Sequence, residues 1–218
     1  DEIQWLEDLP RGWTDVHEAG RYRIRRRDDA AVFGYTVGPH SWKKYLHAPR
    51  LTLWRAERLQ NGFSAFPVNE PVPRRALVGV RACELQAIAV QDRVFLGGAQ
   101  RDPHYEARRR SVFLVAVDCG QAGGTCFCAS MGSGPRVEGD FDLGLTELLD
   151  GARHEFLVRA GSEAGAEILA ALPWSEPAPE HFEAANRTVE NAVRGMGRQL
   201  ETAGLREVLH ANLENPRW

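Results

Sequence analysis

The chain has 218 residues, of which 43% are hydrophobic and 26% are charged, and this ordinary globular composition excludes a mostly disordered protein. Its longest unbroken apolar run, Val112–Val117, is far too short for a helix that crosses a membrane. The formal net charge of −3 argues against a general nucleic-acid binder. We therefore expect a soluble protein without nucleic-acid or membrane partners.

The first part of the chain, residues 1–70, is predicted to be rich in strands. Tyr22–Arg27 and Ala31–Val37 flank Asp28-Asp29, and this pattern predicts that the two segments pair as a hairpin. Two further elements are predicted before the prolines at 71 and 73, namely a short helix starting at Pro39-His40-Ser41 and an extended segment at Leu51–Arg58.

Residues 71–175 are predicted to form an α/β core that carries the cysteines. Short apolar runs alternate with segments of helical spacing, which favours a parallel or mixed sheet with flanking helices. The predicted strands are Ala76–Val80, Ser111–Val117 and Glu155–Val158, and the predicted helices are Leu85–Phe95, Leu143–Leu149 and Ala164–Leu172, the last capped by Gly161-Ser162-Glu163.

The last part, residues 176–218, is predicted to consist of helices. Apolar residues recur there near the helical period of 3.6 residues, and such a stripe usually packs against a core. The stripe consists of Phe182, Val189, Val193, Met196 and Leu200. The whole chain is thus expected to be an α/β protein with an N-terminal hairpin region and C-terminal helices.

Four cysteines suggest the chemistry of the protein. Three of them fall within ten residues, in a glycine-rich stretch, and the first lies 36 positions before the second; they are Cys83, Cys119, Cys126 and Cys128. A domain of this size does not need disulfides for stability, so we expect a reduced, cytoplasmic setting. In that setting, clustered cysteines point to metal or redox chemistry.

The positions of two cysteines predict a shared site. Cys83 and Cys119 each follow a predicted buried strand by two or three residues, and open α/β sheets bind ligands at the carboxyl ends of their strands. If Val78 and Val115 lie on neighbouring parallel strands, both thiols emerge at one edge. Cys126 and Cys128 can join them only from a turn, because residues two apart on a strand point to opposite faces.

The cysteine spacing leaves several kinds of site open. It matches neither the bacterial ferredoxin pattern nor a zinc ribbon, so an iron–sulfur cluster, a structural zinc ion and thiols without metal all remain. Cys83 at a helix N-terminus could also be a nucleophile, but the sequence offers no obvious base for it. The glycine-rich dinucleotide fingerprint, the phosphate-binding loop and the nucleophile elbow are all missing from the sequence.

Several motifs together resemble one protein family. These are Gly79–Leu85, Asp92–Phe95, Asp102–Tyr105, Arg108-Arg109, Asp118-Cys119, Cys126–Pro135 and Asp140–Leu143. They resemble the β subunits of cytoplasmic sulfhydrogenases (hydrogenase/sulfur reductases) and the corresponding component of anaerobic sulfite reductase, over a region from about Ser41 to Trp218. The sequence departs from the family at Ala82-Cys83-Glu84, where the family usually has Pro-Cys-Asp, and this departure leaves the cysteine in place.

The resemblance implies a non-catalytic electron-transfer component of an oxidoreductase complex. Cys83, Cys119, Cys126 and Cys128 would bind an iron–sulfur cluster, [4Fe–4S] in preference to [2Fe–2S], with zinc as the alternative. The partners would be a hydrogenase or sulfite-reducing subunit together with a subunit that binds flavin and NAD(P)H. The family's ferredoxin-like part, with its additional cysteine sets, is missing from this sequence, which is expected to be an N-terminal domain. The alternative function is a docking scaffold without redox activity.

A basic run between the two cysteine-bearing units gives one further expectation. Arg108, Arg109 and Arg110 lie between Cys83 and Cys119 in the sequence. A bound anionic cluster is stabilised by nearby positive charge, so we expect at least one of these arginines near the edge of the site. The competing interpretation is an ordinary solvated face.

Overall fold

The structure is a computed structural model that describes residues 3–36, 38, 41–68, 71–151 and 153–217. Within these residues the elements are, in chain order, a 3-10 turn (Leu6–Asp8), β1 (Trp13–Glu18), β2 (Arg21–Arg26), α1 (Lys43–Leu46), β3 (Trp54–Leu59), β4 (Gly62–Pro67), β5 (Arg75–Val80), α2 (Ala82–Leu96), α3 (Pro103–Arg110), β6 (Val112–Val117), β7 (Leu143–Asp150), β8 (Arg153–Ala160), α4 (Glu163–Ala170), α5 (Pro179–Arg194) and α6 (Leu205–Ala211). Among the described helices, none has the length and apolar character needed to span a membrane.

The first hairpin differs from the predicted one. β1 pairs with β2 in antiparallel fashion, and the turn between them contains Gly20 with φ of 72°, a backbone conformation that favours glycine. The predicted pairing of Tyr22–Arg27 with Ala31–Val37 across Asp28-Asp29 is therefore wrong. The segment that starts at residue 21 pairs instead with β1, which precedes it in the sequence and is joined to it by a two-residue turn.

Residues 31–36 form no strand because side chains bind their backbone. The carboxylate of Glu147 accepts hydrogen bonds from the N–H groups of Val32 and Phe33 at 2.6 and 2.9 Å. Asp15 accepts one from the Thr36 N–H at 2.7 Å. Residue 37 lies outside the described residues. The segment is thus held by a carboxylate of β1 and one of β7, long-range contacts that no local pattern indicates.

A second hairpin and a short helix complete the N-terminal region. β3 and β4 pair in antiparallel fashion, and every residue of both strands is exposed. The extended segment predicted at Leu51–Arg58 corresponds to β3. The predicted short helix is α1, which begins at Lys43; Pro39 and His40 lie outside the described residues.

A four-stranded mixed sheet forms the centre of the molecule. Its strand order is β5-β6-β7-β8, with the first three strands parallel and β8 antiparallel to β7. Val78 lies opposite Val115 in the β5–β6 register, which confirms the predicted parallel neighbours. Helices α2 and α3 pack beside β5 and β6 around buried apolar side chains, including Leu77, Val80, Leu85, Ile88, Tyr105, Leu114 and Ala116. The predicted α/β class is confirmed.

One element of the core was predicted with the wrong type. The segment Leu143–Leu149, predicted as a helix, is the strand β7. It pairs with β6 on one side and, along its whole length, with β8 on the other. A short apolar run does not distinguish a buried strand from a helix, and here the neighbouring strands determine the outcome.

The C-terminal helices agree with the sequence in type, and the predicted packing stripe is right at Val189 but wrong at Phe182 and Val193. Ser162 caps α4 by accepting a hydrogen bond from the Gly165 N–H at 3.0 Å, as predicted. In α5, Ala185, Val189 and Ala192 are buried and the helix packs against β7 and β8. Phe182 and Val193 of the predicted stripe are 51% and 42% exposed. Small side chains form the contact because they allow the helix to approach the sheet closely.

A glycine in α4 allows this helix to lie directly on the loop that precedes β7. A Cβ atom at Gly165 would lie 1.9 Å from the carbonyl oxygen of Asp142. We expect Gly165→Ala to lower the free energy of unfolding by about 1–3 kcal/mol, as overpacking of a buried contact does. Urea denaturation followed by circular dichroism measures this. Gly98→Ala is the control, since a Cβ there meets no atom closer than 3.8 Å; equal effects of both substitutions would contradict the prediction.

Candidate functional site

The four cysteines occupy the carboxyl edge of the sheet. Cys83 is the second residue of α2, directly after β5, and Cys119 lies two residues beyond the end of β6. Because β5 and β6 are parallel neighbours, both residues lie at the same edge, as predicted. Cys126 and Cys128 belong to the long connection between β6 and β7, in a region of turns rather than a strand.

The thiols are close enough to affect one another electrostatically. Shielding from water, followed by the nearby Cys119 and Glu84, raises the pKa of the Cys83 thiol to about 12, with smaller contributions from Cys128 and Cys126. Burial, followed by Cys119 and Cys126, raises the pKa of the Cys128 thiol to about 11. Cys83 as a whole residue is exposed, whereas the other three cysteines are half-buried. The fold thus brings all four sulfurs into one neighbourhood.

Backbone groups surround two of these sulfurs. The Gly123 N–H donates a hydrogen bond to the Cys126 Sγ at 3.3 Å, and the N–H groups of Cys128 and Ala129 lower the pKa of the Cys128 thiol. Gly134 has φ of 151°, and a Cβ atom there would lie 3.2 Å from the Cys128 Sγ. Close backbone N–H groups are a typical environment of thiolates that bind a metal cluster.

The residues fit a metal centre by their chemistry, although they do not surround a metal position. In the part of the chain that the structure describes, no group of three or more His, Cys, Asp or Glu side chains is arranged to hold a metal ion. Burial, followed by the charge of neighbouring sulfurs, raises the pKa of the Cys83 and Cys128 thiols. Four soft thiolates without histidine suit iron–sulfur clusters or zinc.

A buried carboxylate holds the cysteine-bearing connection against the sheet. Asp118 follows β6 and accepts hydrogen bonds from the Val137 N–H and from the Thr146 hydroxyl, both at 2.7 Å. The guanidinium groups of Arg159 and Arg136 lie 3.5 and 3.8 Å from its oxygens. Through these contacts Asp118, at the start of the connection, binds Val137 near its end and Thr146 of β7.

The C-terminal segment covers the other side of the same connection. The Arg198 N–H donates to the carbonyl of Cys126 at 3.3 Å, and the Leu200 N–H donates to the Ser130 hydroxyl at 3.1 Å. Gly197 lies so close that a Cβ atom there would be 2.2 Å from the Gly124 carbonyl oxygen. The segment after α5 is thus part of the framework of the site.

The basic run predicted near the site binds elsewhere. Within the described residues, Arg109 contacts Asp92 at 3.1 Å, Arg110 contacts Glu106 at 2.6 Å and Arg108 donates to the His104 carbonyl at 3.0 Å. The Arg109 contact joins α3 to α2, the other two contacts lie within α3, and none of the three includes a cysteine. The expectation that one of the three arginines lies at the site is therefore not supported, since acidic residues and a carbonyl of the two helices bind them.

The arginine that lies at the site is Arg81, which the sequence pattern did not single out. Its positive charge lowers the pKa of the Cys119 thiol, against the larger effect of burial, which raises that pKa. Arg81 is only 2% exposed. The available signal was a basic residue placed directly after an apolar strand and two positions before a cysteine.

The raised pKa values predict slow thiol chemistry in the metal-free protein. At pH 7.5 we expect Cys83 and Cys128 to react with iodoacetamide more slowly than a free cysteine, whose pKa is about 8.5, because the thiolate is the reacting form. The folded state holds these protons more tightly than the unfolded chain. The thiols therefore stabilise the metal-free fold below pH ~8.5, and this contribution is lost as the pH rises towards 12. Mass spectrometry of alkylated peptides provides the measurement; one cysteine that reacts much faster would indicate a thiol enzyme instead.

The fold is that of an α/β protein in which Cys83 and Cys119 lie at the carboxyl edge of the sheet, and Cys126 and Cys128 lie in the connection after β6. No protein-family model matches the chain, and no solved structure matches it. The chain is 31% identical over 170 residues to the sulfhydrogenase 2 subunit beta of Pyrococcus furiosus. The chain is a homologue of this sulfhydrogenase β subunit, which confirms the resemblance predicted from the cysteine-bearing motifs. The match covers 75% of the chain and 46% of the relative, so the chain spans less than half of the relative's length.

Proposed function

We propose that this chain is an iron–sulfur electron-transfer domain of a cytoplasmic oxidoreductase complex. Cys83, Cys119, Cys126 and Cys128 bind the cluster, a [4Fe–4S] centre in preference to [2Fe–2S]. The observation that carries the proposal is the grouping of four thiols at one sheet edge, in a chain homologous to a sulfhydrogenase subunit. Residues from two separate parts of the sequence contribute, as expected for a site that the fold assembles.

The surroundings of the sulfurs support a redox role for the centre. Hydrogen bonds to cluster sulfurs and their shielding from water set the reduction potential of such centres. The Gly123 N–H and the buried Arg81 supply a hydrogen bond and a positive charge on this side of the protein. Bound iron and sulfide would supply one-electron chemistry, while the chain itself holds the thiolates, shields them and leaves Cys83 exposed at the surface.

The proposed partners follow from the relative and from the family resemblance. The relative is named as a subunit of a sulfhydrogenase, so electrons are proposed to pass between a catalytic subunit and one that binds flavin and NAD(P)H. That catalytic subunit would reduce protons, polysulfide or sulfite. A nickel-hydrogenase gene or a sirohaem-protein gene beside the coding sequence would distinguish the hydrogenase complex from the sulfite reductase complex.

The metal content of the protein tests the proposal. The chain is purified without oxygen, iron, sulfide and zinc are determined, and the visible spectrum is recorded before and after dithionite. Broad visible absorbance that bleaches on reduction, together with stoichiometric iron and sulfide, is the expected result. A colourless protein with stoichiometric zinc would support the docking scaffold with a structural metal. A colourless protein without metal, even after anaerobic reconstitution with iron and sulfide, would reject the cluster.

A further inference from the structure

Strand β5 forms a free edge of the central sheet. It pairs with β6 on one side, and no strand of the described residues pairs with it on the other. The Arg75 N–H donates to the Ser111 carbonyl at 3.2 Å, so the backbone of residue 75 faces β6. Because successive residues of a strand bond to opposite sides, the N–H and C=O groups of Ala76 and Val78 point away from β6. Within the described residues these outward groups have no hydrogen-bond partner.

A cavity of about 690 Å³ follows this free edge. All seven residues 73–79 line it, which at 3.3 Å per residue corresponds to a length of ~20 Å. The other lining side chains include Leu9, Tyr35, Trp42 and Tyr45. The cavity therefore has room for several residues of an extended chain beside the unpaired backbone groups of β5.

Three basic side chains of the same lining have no acidic partner. They are Lys44, Arg74 and Arg75, and none of them forms an ion pair within the described residues. The Lys44 Nζ and the Arg75 Cζ lie 4.9 and 5.6 Å from the centre of the Tyr45 ring, so two of the charges are held around one ring. The chain has a net charge of −3, and this group of unpaired cations is a local exception to it.

The acidic residues of the lining are engaged with other groups. The Asp8 carboxylate accepts hydrogen bonds from the backbone N–H groups of Gln4 and Trp5 at 2.8 and 3.0 Å. The Glu84 carboxylate accepts one from the Trp42 indole at 3.0 Å. Neither carboxylate pairs with the three basic side chains. By charge complementarity, the cavity suits an occupant that brings its own negative charge.

We infer that β5 accepts an extended, acidic segment of a partner protein as a fifth strand of the sheet. The backbone of the segment pairs with the outward groups of Ala76 and Val78, and its carboxylates bind Lys44, Arg74 and Arg75. In this mode of recognition, main-chain hydrogen bonds supply affinity and alternate side chains supply specificity. Such binding needs only the folded chain, so it goes beyond the proposed function and does not depend on a cluster.

Binding of three labelled peptides to the whole chain, followed by fluorescence anisotropy, tests the inference. The first is an eight-residue peptide that alternates valine and glutamate. The second has lysine in place of glutamate, and the third is the first with N-methyl groups on its four central nitrogens, which removes the donors for strand pairing. We expect the first peptide to bind at least tenfold more tightly than either of the others.

Two results of the peptide experiment would overturn the inference. Equal binding of the first peptide and its N-methylated form would show a contact of charges without strand pairing. No saturable binding of the first peptide at ~1 mM would show that the charges of β5 only protect a free edge from aggregation, as charges on natural edge strands do.

Charge reversals locate the contact on the protein. Lys44→Glu combined with Arg74→Glu reverses two exposed charges of the cavity, and both positions tolerate the change because they lie at the surface. Arg55→Glu combined with Arg58→Glu makes the same change of net charge on the exposed strand β3 and is the matched control. We expect the first pair to weaken binding of the valine–glutamate peptide at least tenfold and the control pair to leave it unchanged. Equal weakening by both pairs overturns the inference.

Amide exchange identifies the backbone groups that pair with the peptide. Hydrogen exchange is followed by NMR with and without the first peptide. The amides of Ala76 and Val78 should exchange at least tenfold more slowly in the complex, whereas those of Arg75 and Leu77, which face β6, should not change. Ala76→Pro removes one outward donor and keeps the bonds to β6, so it should weaken binding at least tenfold. If this variant does not fold, the exchange of the wild type decides, and unchanged exchange at Ala76 and Val78 overturns the inference.

Discussion

If the proposed cluster is bound, replacing Cys83 by serine is expected to remove it, even though Cys83 lies 36 positions from the next cysteine in the sequence. Loss of a residue that only hydrogen-bonds to a metal ligand weakens metal binding by ~10–100-fold. Loss of a thiolate ligand itself should weaken metal binding more. Metal binding is coupled to folding of the segments that hold the metal, so stability should fall together with the iron content. Iron analysis and urea denaturation of the anaerobic protein measure both.

Two comparisons make the Cys83 result decisive. Ala89→Ser places a serine at an exposed position of the same helix and should retain full iron content. Cys126→Ser should lose iron to the same extent as Cys83→Ser, and it should also disorder the connection between β6 and β7. If Cys83→Ser keeps its iron while Cys126→Ser loses it, the shared site is wrong. Cys83 would then be an ordinary thiol at a helix start, and the other three would require an outside ligand.

Removing the carboxylate of Asp118 is expected to be the most destabilising single change near the site. Asp118→Ala would leave the Val137 N–H and the Thr146 hydroxyl without their acceptor and would leave the Arg159 charge without its partner. Breaking a buried ionic network by removing one partner costs about 3–5 kcal/mol. We expect a loss of unfolding free energy of that size, measured by urea denaturation.

Asp118 directly precedes Cys119, so Asp118→Ala is also expected to lower the iron content of the protein. Asp118→Asn keeps the size of the side chain and one acceptor oxygen, so it should show a smaller loss of stability. Asp140→Ala is the control, because that side chain is 92% exposed, and it should leave both properties unchanged. Full stability of Asp118→Ala would show that the connection after β6 is held by its backbone contacts alone.

The central strands could be predicted because their burial is visible in the sequence. β5 and β6 are short apolar runs between helical segments, and such runs are typical of parallel strands covered on both faces. Their order then placed Cys83 and Cys119 at one edge without further information. The cap at Ser162 was equally local, since a serine before a helix binds the N–H groups of its own first turn.

The features that escaped prediction depend on contacts between distant residues. The sequence pattern of β7 indicates a helix, but pairing with β6 and β8 makes the segment a strand. Residues 31–36 have the sequence pattern of a strand, and nothing in their local sequence reveals that Glu147 binds their backbone. Arg81 escaped prediction for the same reason, since an arginine after a strand looks ordinary until Phe33 and Tyr35 are brought over it.

The hairpin of β3 and β4 differs from the central sheet in its resistance to local opening. All its residues are exposed, and an isolated two-stranded hairpin is only marginally stable in water. The hydrogen bonds between residues 54–59 and 62–67 should therefore open without unfolding the core. Backbone amides there should exchange with deuterium early, whereas those between β5 and β6 wait for global unfolding. The strands of the hairpin and those of the central sheet would thus differ widely in their protection from hydrogen exchange.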